Sequence, residues 1–152
     1  MAHNLYKNKM AFHGEVPWHR LGVQFNEPFT AEQAIEAAGL GYEVQRQQLH
    51  LPDGKPVPNY YATVNGDTSD ILGVVQGRYK ILQNKDAFKF FDILMDEAGA
   101  RYETAGAIGK GERVWLMARM PGGLMPVQGD EILPYCLLHN SHDGTGRVTV
   151  RF

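Results

Sequence analysis

The sequence predicts an α+β fold, a mostly antiparallel twisted sheet with two helices packed on it. Three observations carry that expectation. Residues 31–38 and 85–98 have apolar positions at helical spacing, and a glycine stands just behind each. Most of the remaining chain alternates apolar and polar residues between turns rich in Gly, Asn and Asp. The length of 152 residues suits a single domain with a real core.

Residues 1–26 contain Pro17, Trp18, His19, Arg20, Leu21 and Gly22 and show little periodicity, so they are expected as an irregular N-terminal arm. Trp18 is its natural anchor, buried against the domain; the sharper alternative is an exposed platform on which a base stacks. Thr30 and Gln33 form a capping box, and Ala31, Ala34, Ile35, Ala37 and Ala38 give a small apolar stripe that ends at Gly39. From Tyr42 the period changes to two. Residues 42–51, 60–64 and 71–75 read as a three-strand meander whose turns lie at Pro52-Asp53-Gly54 and Asn65-Gly66-Asp67.

Asn84 stands where the N-cap of the second helix belongs. Ala87, Phe88, Phe91, Ile93, Leu94 and Met95 give this helix the bulkiest apolar face in the chain, and Gly99 closes it. Residues 102–107 and 112–120 then read as two strands about a Gly109-Lys110-Gly111 turn. The second is apolar at nearly every position after Val114, as in a strand that is central or covered on both faces. Residues 135–138 and 148–152 form two further strands, joined by the polar loop His139-Asn140-Ser141-His142-Asp143-Gly144-Thr145-Gly146.

Composition narrows the function classes. The 43% hydrophobic and 21% charged fractions are those of an ordinary globular protein, and no apolar run approaches a membrane span. No apolar segment of a secretory signal stands near the start, and Cys136 is the one cysteine, so no internal disulfide forms; a bacterial host's cytoplasm is the expected location. The net charge of −2 argues against a surface that is basic throughout. A local basic groove remains compatible with it. Between Gly73 and Lys89, the cations Arg78, Lys80, Lys85 and Lys89 face only Asp86, a local +3, with Tyr79 interleaved. Arg147 and Arg151 stand at even spacing on the last strand and so are expected on one face. Basic side chains beside an aromatic suit a single-stranded nucleic acid.

The polar loop offers a second chemistry. His139, His142 and Asp143 are ligand types for zinc, manganese or iron, although no third ligand stands at a recognised spacing. The plainer alternative is a loop that Asn140, Ser141 and Asp143 hydrogen-bond into shape. Gly106-Ala107-Ile108-Gly109-Lys110-Gly111 lacks the Lys-Ser/Thr ending of a phosphate loop and precedes no helix. No residues are assigned a catalytic role, and no cofactor is expected.

Collinear motifs run the length of the chain: Met1-Ala2-His3-Asn4, Pro17-Trp18-His19 with Leu21-Gly22, Leu72-Gly73-Val74-Val75 with Arg78-Tyr79, Leu82-Gln83-Asn84 with Ala87-Phe88, Tyr102-Glu103-Thr104-Ala105-Gly106, and Asn140-Ser141-His142-Asp143-Gly144. In these the chain resembles the phage/plasmid-like protein family, uncharacterised proteins carried by mobile elements. Members continue past the Val-Arg-Phe strand, so the resemblance implies a truncated or N-terminal portion. The order of strands, helix and strands is also similar in outline to phage single-strand annealing proteins of the RecT, Redβ and Erf type. The resulting expectation is a non-enzymatic nucleic-acid-binding protein of a phage or plasmid, acting in recombination or strand annealing as a homo-oligomer. Its groove would comprise Arg78, Tyr79, Lys80, Lys85, Lys89, Arg147, Arg151 and Trp18. Two alternatives stay open: a metal-dependent enzyme or small-ligand protein using His139, His142 and Asp143, and an interaction protein aimed at a host factor such as a defence component.

Overall fold

The computed structural model describes residues 4–127 and 130–152. These residues form eleven strands and two helices, an α+β arrangement dominated by antiparallel pairing. In place of one continuous sheet there are two main ones. The larger runs in the order β11(Thr149–Arg151), β10(Tyr135–Ser141), β7(Arg113–Arg119), β6(Arg101–Ile108), β1(Leu5–His13), β2(Val23–Phe25). The smaller is the expected meander of β3(Val44–His50), β4(Pro56–Asn65) and β5(Ile71–Gln76). A two-stranded ribbon, β8(Leu124–Val127) with β9(Asp130–Ile132), stands apart. Local patterning reveals strands but not which distant strand each one pairs with, so the division into sheets was not visible in advance.

The expected irregular arm is corrected most. β1 is an interior strand, antiparallel to β6 on one side and parallel to β2 on the other. Its alternation is broken because Lys7 and Asn8 take left-handed backbone angles, φ 50° and 56°, and the register with β6 shifts between Leu5 and Met10. Tyr6, Met10, Ala11 and Phe12 are nevertheless buried, which is what holds the strand in place. Trp18 is no anchor: it is 67% exposed, its ring edge-on to His19.

The first helix, α1(Ala31–Ala37), forms as expected. Thr30 Oγ1 accepts from the Gln33 amide at 3.2 Å, and Gln33 Oε1 accepts from the Thr30 amide at 2.8 Å, completing the capping box. The helix ends with Gly39 N–H on Glu36 O and Leu40 N–H on Ile35 O, the doubled bond of a Schellman close. The second helix, α2(Asn84–Ala98), closes likewise at Gly99. Its start differs from expectation. Gln83 is the N-cap residue, and its side chain instead pairs with the Val44 backbone, accepting from N–H and donating to C=O at 2.9 Å each. Asn84 is the first helical residue, fully buried and engaged elsewhere.

The core lies between the two helices and the larger sheet. Phe88 and Phe91 of α2 meet Leu116 of β7 and Leu138 of β10, while Ala31, Ala34 and Ala38 let α1 approach closely. Only Ala87, Phe88, Phe91 and Met95 of the expected α2 face are buried; Ile93 and Leu94 point outward. On β7 burial alternates, with Val114, Leu116 and Ala118 inside and Trp115 and Met117 half-buried on the other face. β7 is thus central in its sheet, as one of the two expected alternatives has it, and its second face is half closed. Much of its cover comes from Trp115, whose Nε1–H donates to Thr104 Oγ1 at 3.2 Å while its ring lies on Gly106 of the neighbouring strand. A Cβ at Gly106 would fall 2.4 Å from the indole. Gly106→Ala is expected to displace that ring and lower stability by about 1–3 kcal/mol. Urea unfolding should show a lower midpoint with an unchanged slope.

Candidate functional site

Two chain segments meet where the two sheets adjoin: the connector from β5 to α2 and the loop from β10 to β11. The loop is fixed by groups far away in sequence. Tyr79 donates from its hydroxyl to Ser141 O at 2.7 Å, and Asn140 Nδ2 donates to Leu82 O at 2.9 Å, so the connector holds the end of β10 from which the loop departs. His142 N–H donates to Glu112 O at 2.7 Å, and Thr63 Oγ1 of β4 donates to His142 O at 2.7 Å. The loop backbone also rests directly on β5, where a Cβ on Gly73 would lie 2.5 Å from Asp143.

The His142 side chain is buried completely. Asn84 Nδ2 donates to Leu40 O at 3.1 Å, which leaves Asn84 Oδ1 to accept from His142 Nε2 at 2.8 Å. That assignment makes the imidazole the neutral Nε2–H tautomer, with Nδ1 free of any partner among the described residues. Burial pulls its pKa down to about 4, against a small opposing pull from the Asp143 charge. Asp143 behaves oppositely. Burial opposes its charge, but hydrogen bonds from Ser141, Thr145 and Arg113 more than offset this and hold its carboxyl at about 2. Arg113 Nε stands 3.2 Å from Asp143 Oδ2, so the loop's one acid is already neutralised.

Above this scaffold lies a groove of about 500 Å³ with Arg78, Tyr79 and Lys80 on one wall and Gly146 and Arg147 on the other. A shallower hollow continues it past Arg78 and Tyr79 toward Val74–Gln76. Arg78, Lys80 and Arg147 are exposed, and among the described residues none of them forms an ion pair. The Tyr79 ring is half-buried, its hydroxyl committed to Ser141.

The expected site is thus gathered in part. Arg78, Tyr79, Lys80 and Arg147 share the groove. Lys85 and Lys89 stand exposed on α2 and line none of it. Arg151 pairs opposite Leu137 at the far end of β11, and because that strand begins only at Thr149, strand alternation does not relate it to Arg147. Trp18 follows β1, near the opposite edge of the sheet. The three proposed metal ligands do not converge. His139 sits on β10 facing Trp115 and Thr149 in the ladder, His142 is turned inward to Asn84, and Asp143 is consumed by its loop. Among the described residues no group of three His, Cys, Asp or Glu is placed to hold a metal. Sequence reasoning missed Asn84 and Arg113, the residues that hold the loop from outside. Asn84 carried a signal, an amide at a helix start, that capping chemistry explained too readily.

The profile of a family described as a domain of unknown function, DUF932, matches residues 71–152, which is 82 of the chain's 152 residues. The chain belongs to the DUF932 family. Searches of curated proteins and of solved structures find no match. The DUF932 segment opens at β5, so it contains the connector, α2 and the β10–β11 loop, and with them the whole groove. Trp18 falls outside it.

The His142 environment sets a pH dependence for this DUF932 chain. The folded pKa of about 4 lies below the ordinary 6.5, so the unfolded chain binds the proton first. Stability from this group is complete above pH 6.5 and is lost as pH falls toward 4, by about 3 kcal/mol in all. Urea unfolding across that window should show the decline, and His142→Gln should flatten it. The Asp143 contribution falls away only below its ordinary 3.8, toward 2, and so is separable.

Proposed function

We propose that this protein binds nucleic acid, with single-stranded DNA as the substrate class, through the groove between the β5–α2 connector and the β10–β11 loop. One observation carries the reading: Arg78, Lys80 and Arg147 come from segments far apart in sequence onto one groove, unpaired among the described residues. In a chain of net charge −2 such a concentration of positive charge is selective rather than general. Phosphates entering the groove replace counterions there, which is the main source of affinity in such complexes. Asp143 does not oppose them, because Arg113 already balances it. The fixed Tyr79 ring supplies an aromatic wall beside the cations, which favours an unstacked strand over a duplex.

The biological setting we propose, strand annealing or recombination in a phage or plasmid, draws on the sequence resemblances; the groove itself argues for the binding step. The metal-enzyme alternative finds no supporting arrangement at His139, His142 and Asp143.

Fluorescence anisotropy with a labelled oligonucleotide tests the proposal. Binding is expected at micromolar concentration, with log affinity falling against log salt at a slope of about −2 for three phosphate contacts to a single strand. Arg78→Ala, Lys80→Ala or Arg147→Ala should each weaken binding to all sequences alike and reduce that slope by about 0.7. Trp18→Ala, remote from the groove, should change neither. Absence of salt-dependent binding to any DNA or RNA overturns the proposal.

A further inference from the structure

α2 buries one face and leaves an apolar one outside. Phe90, Ile93 and Leu94 are 54%, 58% and 38% exposed, and the spacing of three and four residues sets them together on the helix surface. Large apolar side chains grouped in this way on a helix mark a contact surface.

The charges beside them identify what covers it. Lys89 and Asp96, seven residues apart, lie on one flank of the helix, with Lys85 one turn before Lys89. Lys85 and Lys89 therefore stand in the first half of this flank and Asp92 and Asp96 in the second, while Asp86 and Glu97 lie about a quarter turn away at the two ends of the apolar strip. Such a flank is complementary to itself when turned end for end. Lys89 stands one residue before Phe90, and Asp96 two residues after Leu94. A two-fold axis near Ile93 that lays one apolar triplet on another therefore also sets Lys89 of each helix against Asp96 of the other.

The ends of the helix point the same way. The last turn of α2 carries no basic residue, so its negative dipole end has no cation of its own. In the antiparallel arrangement Lys85 from the facing helix arrives there. Among the described residues neither Lys85 nor Lys89 is engaged in an ion pair within the chain.

We infer that the outer face of α2 joins two copies of this chain in an antiparallel, two-fold-symmetric dimer. The contact is isologous, each helix giving and receiving the same set of groups. It leaves the groove cations Arg78, Lys80 and Arg147 outside the interface and holds Lys85 and Lys89 within it. The seam is only about four helical turns long, so a dimer that dissociates in the micromolar range is expected.

Sedimentation equilibrium of the whole chain, loaded over a wide concentration range, tests this. The expected result is a monomer–dimer equilibrium that Ile93→Glu abolishes. Lys89→Asp and Asp96→Lys should each weaken the dimer by about tenfold, and the double variant should recover most of the loss. All of these positions are exposed, so far-UV circular dichroism should match the parent throughout. A parent chain that stays monomeric at its highest soluble concentration assigns the face to some other partner and overturns the inference. So does a dimer indifferent to Ile93→Glu, which would use another surface. Charge reversals that each weaken the dimer without mutual rescue overturn the antiparallel arrangement.

Discussion

The junction between the two sheets depends on a line of buried polar contacts rather than on apolar packing alone. Leu40 O, the Asn84 amide and the His142 imidazole form one chain of hydrogen bonds, and Thr63 holds the His142 carbonyl from the other sheet. Asn65 extends the seam, donating to the Tyr6 hydroxyl at 2.9 Å and to Lys110 O at 3.2 Å. Burying such groups is costly unless each finds a partner, and the cost makes the junction specific. A loop displaced by one residue would strand Asn84, His142 and Thr63 together. The polar residues between Asn140 and Asp143, crowded enough to suggest catalysis, are therefore mostly the means by which one loop is held between two sheets.

That division of labour explains why the cationic residues of the groove are left exposed. His142 is neutral and turned inward, Asp143 is matched by Arg113, and Tyr79 is pinned through its hydroxyl. What remains pointing outward is Arg78, Lys80 and Arg147. Exposed cations contribute little to the stability of the fold, so their placement is not explained by folding.

Local chemistry made much of this visible in the sequence. The Thr30–Gln33 box, the stops at Gly39 and Gly99 and the β3–β5 meander follow from short-range rules and appear where expected, whereas in the final hairpin β10 runs on through His139, Asn140 and Ser141, read from their polarity as loop but carried by their pairing with β7. The misses share a cause, since each depended on a contact made at long range. β1 was hidden because Lys7 and Asn8 bend out of the strand period, and its place is set by distant pairing with β6 and by burial of Tyr6, Met10, Ala11 and Phe12. Asn84 looked like a cap because nothing nearby in sequence reveals His142, 58 residues on. The site was half visible. The charge count found Arg78 and Lys80, but Arg147 joins them through the Tyr79–Ser141 bond, while Lys85 and Lys89 turn away on the helix.

The unequal pairing of β10 gives the groove a mechanical character. Along β7 it is held through seven residue pairs, from Tyr135 to Ser141, but along β11 through only three. The wall carrying Arg78 and Lys80 is tied to that well-held strand, whereas Arg147 hangs between the loop and a short outer strand that frays at small cost. The groove therefore has one rigid jaw and one compliant jaw. Any change in the groove's width would fall on Arg147 and its loop rather than on the sheet.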